Sequence, residues 1–261
     1  MLIATWNVNS LNARLSYVLD WLGEVAVDVL CMQETKLTDS GFPALEFQRI
    51  GYEAAHFGQG RWNGVAIVSK VGLEAVHPGF EDDAEPDPDA RILWATCGDV
   101  RFGSVYVPNG REVGHAQFRY KIRWLERLRA DLDLNYEPAE PLVVCGDWNI
   151  APEDIDVWDP QAFEGSTHVT EEERAALAAV RDWGLVDVFR RRYPAAGLFS
   201  YWDYRAGDFH QHRGMRIDYI LASRALAERS VSDLVDRNAR KNRDGNKPSD
   251  HAPVLALFAD D

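Results

Sequence analysis

Residues 142–149, Leu-Val-Val-Cys-Gly-Asp-Trp-Asn, constrain this chain more than any other stretch. A short apolar run bounded by turn chemistry forms a buried strand. Its C-terminal end places a carboxylate, Asp147, and a carboxamide, Asn149, two residues apart. In an extended chain, positions i and i+2 point to the same side. The two groups are therefore expected together at the mouth of a buried strand, where open α/β sheets build their sites. Gly146 lets the backbone come close to a ligand or a neighbouring strand. Read alone, an Asp-x-Asn strand end is more often an ordinary Asx turn. Repetition of the pattern along the chain is what favours a site.

Leu2 to Trp6 reads as a first strand, followed by Asn7 and Asn9. Leu11, Leu15, Val18, Leu19 and Leu22 follow helical spacing, and that helix is expected to stop near Gly23. Val27 to Met32 is a second apolar strand ending in Gln33-Glu34-Thr35-Lys36, and a short helix with Phe42, Leu45 and Phe47 follows. Tyr52 to Phe57 pairs with Gly64 to Ser69, and Ile92 to Thr96 with Arg101 to Val107 across Gly98-Asp99. A long amphipathic helix covers roughly Gln117 to Leu134. A loop of about residues 151–168 comes before Thr170, which with Glu173 forms a capping box opening another helix. Leu185 to Phe189 is helix or strand, and Phe199 to Arg205 strand or loop. Arg216 to Ala222 is a strand with Asp218 near its beginning, and Pro253 to Phe258 is the last strand. Hairpin-type strands mix with helices in both halves, which favours an α/β or α+β sandwich over a simple alternating parallel sheet. No linker or repeat breaks the pattern, so residues 1–261 are expected to form one domain.

The chain has 261 residues and is 46% hydrophobic, enough for one large core. No apolar stretch is long enough to span a membrane, and the N-terminus lacks the basic and apolar regions of a signal peptide. Cys31, Cys97 and Cys145 lie in strand-like apolar contexts without metal spacing, as core thiols in a reducing cytoplasm would. The formal charge of −14 argues against a nucleic-acid partner unless positive groups gather on one face. The acids do cluster: Glu81, Asp82, Asp83, Glu85, Asp87 and Asp89 fill one loop, and others crowd residues 171–173 and the C-terminus. Arg237, Arg240, Lys241 and Arg243 form a basic run that can grip phosphates or sit as a solvated loop.

Six strand-end positions carry oxygen or imidazole groups: Asn7, Glu34, Tyr106, Asp147 with Asn149, Asp218, and Asp250 with His251. Such ends converge if the strands share a sheet. Carboxylates and carboxamides without thiolates suit a hard cation, Mg²⁺ or Mn²⁺. A histidine with carboxylates nearby supplies an acid or base. His210 and His212 form a competing metal pair, but their charged, Gly-flanked surroundings read as a mobile loop.

Trp6-Asn7-Val8-Asn9, Gln33-Glu34-Thr35-Lys36, Gly146-Asp147-Trp148-Asn149, Arg216-Ile217-Asp218-Tyr219 and Pro248-Ser249-Asp250-His251-Ala252-Pro253 resemble the exonuclease III family of apurinic/apyrimidinic endonucleases. The motifs keep the family's order from Trp6 to Pro253. The resemblance implies a DNase I-like α/β fold, a four-layer sandwich of two mixed sheets face to face with helices outside. It implies Glu34 as the principal metal ligand, with Asn7 and Asp250 nearby and Asp147, Asn149 and His251 bordering the ion. It also implies Asp147 as the group activating or orienting water, with Asn149 holding that water or the phosphate. His251, paired with Asp218, would polarise the phosphate, and Tyr106 would stand at the leaving side or support the nucleophile. Tyr201 and Trp202 fall where the family builds its sugar pocket, and plain core packing is the alternative. Lys36, Arg111 and Arg205 are expected to touch the substrate backbone. Asn12 stands where many members have Arg.

The implied activity is Mg²⁺-dependent hydrolysis of double-stranded DNA at abasic sites and blocked 3′ ends, by a monomeric cytoplasmic protein. A non-catalytic RNA-binding regulator and an inositol-phosphate or sphingolipid phosphatase are the alternatives on the same scaffold.

Overall fold

In the computed structural model, residues 1–82, 84–243 and 245–259 are described; Asp83 of the acidic loop and the C-terminal Asp260 and Asp261 lie outside them. The elements are β1 (Leu2–Asn7), α1 (Leu11–Val25), β2 (Val29–Gln33), α2 (Ala44–Arg49), β3 (Glu53–Phe57), β4 (Val65–Ser69), β5 (Glu74–Pro78), β6 (Ile92–Cys97), β7 (Val100–Tyr106) and α3 (Ala116–Asn135). They continue with β8 (Leu142–Asp147), α4 (Glu171–Arg181), β9 (Leu185–Asp187), α5 (Val188–Arg192), α6 (Asp208–Gln211), β10 (Asp218–Ser223), α7 (Arg224–Glu228), β11 (Ser230–Val235) and β12 (Val254–Phe258).

The strands make two six-stranded sheets, β11-β12-β1-β2-β4-β3 and β5-β6-β7-β8-β10-β9. Each is antiparallel except for one central parallel pair, β1 with β2 and β7 with β8. The alternation of side chains sorts each strand between two layers. Ile3, Val29, Cys31, Val143 and Cys145 point between the sheets. Ala4, Trp6, Leu30 and Met32 face outward to Tyr17, Val18, Trp21 and Leu22 of α1. Leu142 and Val144 face outward to Trp124, Leu125 and Leu128 of α3 and to Leu177 and Val180 of α4. Burial on both faces is why these strands read as continuous apolar runs. The result is the expected four-layer DNase I-like α/β sandwich. All three cysteines are free and buried in the central layer.

Several local expectations change. α1 runs past Gly23 to Val25, because Ala26 takes the left-handed conformation and its N–H caps the Leu22 carbonyl. β5 and β11 were not legible: they are edge strands, β5 mostly and β11 half exposed, with no clean alternation. Residues 185–192 are both alternatives in turn, a short strand and then a helix capped by Asp187. The segment around Tyr201 is a loop that makes single bridges to Met215 and His251. The capping box at Thr170 and Glu173 forms as read. Among the described residues, no helix is long and apolar enough to cross a membrane.

Candidate active site at the strand ends

Strand register assembles the centre. Tyr106 of β7 stands opposite Asp147 of β8, and Asp147 opposite Asp218 of β10. β10 runs antiparallel to β8, so a residue at its start lies beside one at the other's end. Neighbouring strands lie about 4.8 Å apart, so the three side chains form one row. Gly146 permits this: a Cβ there would stand 1.8 Å from the Val105 carbonyl oxygen of β7. The other sheet contributes Asn7 at the end of β1, whose Nδ2 donates to Asp147 Oδ2 at 2.8 Å and to Glu34 Oε1 at 2.9 Å. Glu34 follows β2 directly in the left-handed region, which turns its carboxylate back over the strand ends. Tyr106 donates its hydroxyl to the same Oε1 at 2.9 Å.

Asp147 and Asn149 are together, but for a different reason from alternation. β8 ends at Asp147, Asn149 is left-handed, and its N–H donates to Asp147 Oδ1 at 2.9 Å. The strand end is thus an Asx turn and part of the centre at once. Asn149 is then held by three bonds, two from the loop after β7 and one from α3. Its Nδ2 donates to the Val107 carbonyl, its Oδ1 accepts from Asn109 at 3.1 Å, and its own carbonyl accepts from Lys121 Nζ at 2.6 Å.

His251 Nδ1 bonds both oxygens of Asp218, at 2.8 and 3.0 Å, and its Nε2 stands 3.9 Å from Asp147 Oδ2. Ser200, which sequence reading missed, locks this pair: its hydroxyl donates to Asp218 Oδ2 at 2.6 Å and accepts from the Asp218 N–H. Burial lowers the basicity of His251, but Asp218, then Asp147 and Asp250, overcome it and raise its pKa to about 10. The ring is an imidazolium at neutral pH. Asp147 is pushed up to about 7 by burial and by the charges of Asp218 and Glu34, against the pull of His251. Burial also acts on Glu34, yet Lys36, Asn7 and His251 hold it below the ordinary carboxylate range. Tyr106 is raised well above its usual value, chiefly by burial and then by Glu34, so it stays a neutral donor.

Asp250 joins from the loop before β12, where its Oδ1 accepts from Asn9 Nδ2 at 2.9 Å. Asn9 in turn accepts from Lys36 Nζ at 2.6 Å, and that ammonium lies 2.8 Å from Glu34 Oε2. Lys36 thus stands beside the centre, its side chain 26% exposed. Trp202 is corrected: it is 0% exposed, packed with Phe199, Ala252 and Phe209, and does not line the opening. Tyr201 does face the centre, its ring 4.8 Å from that of His251. A recess of about 250 Å³ beside it is lined by Met215, Phe163 and Trp158, none of which carried a sequence signal. Arg205, 91% exposed, and Arg111 stand out in solvent at the edges. His210 ends in a short helix, and His212 bonds the Gly197 carbonyl, so the pair does not gather as a metal site.

The donor set fits a hard cation. Among the described residues, Asp147, Asp218 and His251 form a group whose ligand atoms lie within 4.8 Å of one another. Two of these, His251 and Asp218, are already joined as an ion pair, and Asn7 ties Asp147 to Glu34, which brings a second carboxylate beside the group. The raised pKa of Asp147 marks an excess of buried negative charge that a cation would relieve. No thiolate is near, which suits oxygen-seeking ions.

The match to known proteins decides the family: a model of the endonuclease/exonuclease/phosphatase family aligns with residues 4–251. The chain belongs to this family. Within it, it belongs to the exonuclease III branch of metal-dependent nucleases. It is 34% identical to exodeoxyribonuclease III of Haemophilus influenzae, covering 99% of this chain and 100% of that one. An AP endonuclease structure from Archaeoglobus fulgidus superposes with a TM-score of 0.94 at 39% identity, covering 99% of both chains. A 3′ phosphatase from Neisseria bound to a product DNA hairpin gives 0.92 at 38% identity, also over 99% of both. The polar groups described above gather at the C-terminal ends of β1, β2, β7 and β8.

Proposed function

We propose that this exonuclease III-type enzyme is a single-domain, monomeric, cytoplasmic DNA repair nuclease. It hydrolyses the phosphodiester 5′ to abasic sites and removes blocks from 3′ ends of double-stranded DNA, with Mg²⁺ as its ion and Mn²⁺ as a substitute. The observation that carries the reading is the row Tyr106, Asp147, Asp218 with His251, closed from the second sheet by Asn7 and Glu34. Relatives named as an AP endonuclease and a DNA-bound 3′ phosphatase support both halves of the substrate range.

In this reading His251, cationic and fixed through Asp218 and Ser200, sits against a phosphate oxygen and offsets the charge that grows there during attack. Asp147, with a pKa near neutral, takes the proton of the attacking water as the new P–O bond forms and the 3′ oxygen leaves. Asn149 presents a neutral amide donor fixed before substrate arrives, and the Tyr106 hydroxyl, donated to Glu34, supports that carboxylate beside it. Glu34, Asp250 and Asn7 would hold the divalent ion, which supplies further charge stabilisation at the phosphate. Tyr201 with Met215 gives an apolar face that accepts a sugar without a base.

The test is a duplex with one synthetic abasic site, incubated with Mg²⁺ or with chelator, beside a duplex ending in a 3′-phosphate. Incision 5′ to the lesion and phosphate release, both lost in chelator, are expected. Glu34→Gln is expected to keep the fold and lower the rate by about 10²-fold or more, since one electrostatic stabiliser contributes roughly 3–4 kcal/mol. Binding without incision would select the non-catalytic RNA-binding regulator, and inertness on both duplexes the small-molecule phosphatase.

A further inference from the structure

A cavity of about 720 Å³ lies beside the centre without belonging to it. Arg14 of α1, Tyr204 and Phe209, and Arg240, Lys241 and Lys247 line it. Its wall is tied to the site by backbone. Arg14 donates to the Asn9 carbonyl and to the Tyr204 hydroxyl, which donates to the Pro248 carbonyl at 2.8 Å. Arg240 donates to the Ser249 carbonyl, one residue before Asp250. The loop thus presents Tyr201 to His251 on one side and Tyr204 to the cavity on the other.

The charges in the cavity are unequal. Its two acids are already engaged: Asp208 Oδ1 accepts two bonds from Arg213, and Asp203 Oδ1 accepts the Arg205 N–H. Three of the cations are partly committed: Arg14 donates to Asn9 and Tyr204, Arg240 to Ser249 and Trp202, and Lys241 Nζ to Asn238 Oδ1 at 2.7 Å. Arg240 is only 7% exposed, yet its buried Nε has no partner among the described residues, and neither has the buried Nε of Arg14. Lys241 and Lys247 are exposed at the mouth. A half-exposed tyrosine ring stands among them. Guanidinium and ammonium donors around an aromatic face make a recognition surface for a phosphate carrying a base.

We propose that this cavity is a nucleotide subsite, taking one nucleoside 5′-phosphate with its phosphate at Arg14, Lys241 and Lys247 and its base against Tyr204. The nucleotide is either part of a DNA strand running past the cut or a free mononucleotide. The proposal rests on the nuclease reading only for the first of these sources. It also revises the role of the basic run. Arg240 and Arg243 are structural: Arg240 is buried, and Arg243 pairs with Glu24 at 2.7 Å over the ring of Tyr17.

The test uses binding alone, in chelator, so that no turnover is needed. Titrate 2′-deoxyadenosine 5′-monophosphate into wild type, Lys241→Ala/Lys247→Ala, Tyr204→Leu and Tyr204→Phe, each first shown to melt cooperatively. By anisotropy, measure binding of an abasic duplex with full-length flanks and of the same duplex with each flank in turn truncated at the incision point. For either source, the double lysine variant and Tyr204→Leu are expected to bind about tenfold or more weakly, with Tyr204→Phe within about twofold of wild type. A loss on full-length but not on one truncated duplex identifies the DNA strand. A loss confined to the mononucleotide identifies the free nucleotide. Unchanged affinity of these variants for both ligands overturns the proposal. A protein that passes this test yet cuts no abasic duplex would refute the nuclease reading and leave the subsite standing.

Discussion

Lys121→Met is the most informative single change outside the catalytic row. Lys121 of α3 and Glu173 of α4 are both 0% exposed and joined at 2.5 Å. The pair binds three loops together. Lys121 also donates to the carbonyls of Asn149 and Asn109, and Glu173 also accepts from the Thr167 hydroxyl, the His168 N–H and Thr170. Burial costs the ammonium more than its partner returns, so Lys121 lies below an ordinary lysine; Glu173, despite burial, is held low by Lys121 and its other donors. The 2.5 Å contact joins them as a buried ion pair. Removing the ammonium strands a buried carboxylate, which costs about 3–5 kcal/mol. In a chain of this size that is roughly 6–20 °C in Tm, at about 2–4 °C per kcal/mol. Adding Glu173→Gln removes the stranded charge and is expected to recover about 1–3 kcal/mol of coupling. Asn149 loses the donor that fixes its carbonyl. A misplacement of about 1 Å at a reacting centre can cost about 10²-fold, so kcat is expected to fall at temperatures where the variant remains folded. Urea unfolding of the four proteins in the cycle, with Michaelis kinetics on the abasic duplex, measures both effects. A single-variant loss under about 1 kcal/mol, or strictly additive losses, would refute the argument.

Asp218→Asn removes the strongest influence raising His251, so the alkaline limb of the pH–rate profile is expected to move down from about pH 10. Because the folded pKa of His251 is raised, its stabilising contribution is complete below the unfolded value near 6.5 and lost as pH rises through about 10. Urea midpoints across pH 6–11 should fall over that window in wild type and fall less in the variant. Divalent-ion binding should displace a proton from Asp147, whose pKa is about 7. Calorimetry of Mn²⁺ binding at pH 6 in two buffers of different ionisation heat should show up to one proton released per ion, and Asp147→Asn should abolish it. Arg240→Ala is expected to lower the urea midpoint, because it loses bonds to the Ser249 and Trp202 carbonyls. An unchanged midpoint with a flatter salt dependence of DNA binding would instead make Arg240 a phosphate contact.

The sequence alone determined the parts of this protein that repeat a local rule. β1, β2, β4, β7, β8, β10 and β12 are legible because both faces are buried, which forces continuous apolar runs, and α3 and α4 because one face is. The polar residues at the strand ends stood out against those runs, so Asn7, Glu34, Tyr106, Asp147, Asp218 and His251 could be named before any fold was known. The motif order then carried the family. Tertiary structure decided what each polar group touches. Register, which depends on pairing between strands far apart in sequence, put Tyr106, Asp147 and Asp218 in a row. Ser200, Lys121 and Met215 had no signal, because a hydroxyl, an ammonium or a thioether is ordinary until its neighbours are known. Trp202 was misplaced, and the partners of Lys36 were not legible, for the same reason. A lysine beside a glutamate can turn in or out, and an aromatic pair in a loop can send either ring to the core; only the packing of Asn9 against Asp250 and of Phe209 against Trp202 settles which.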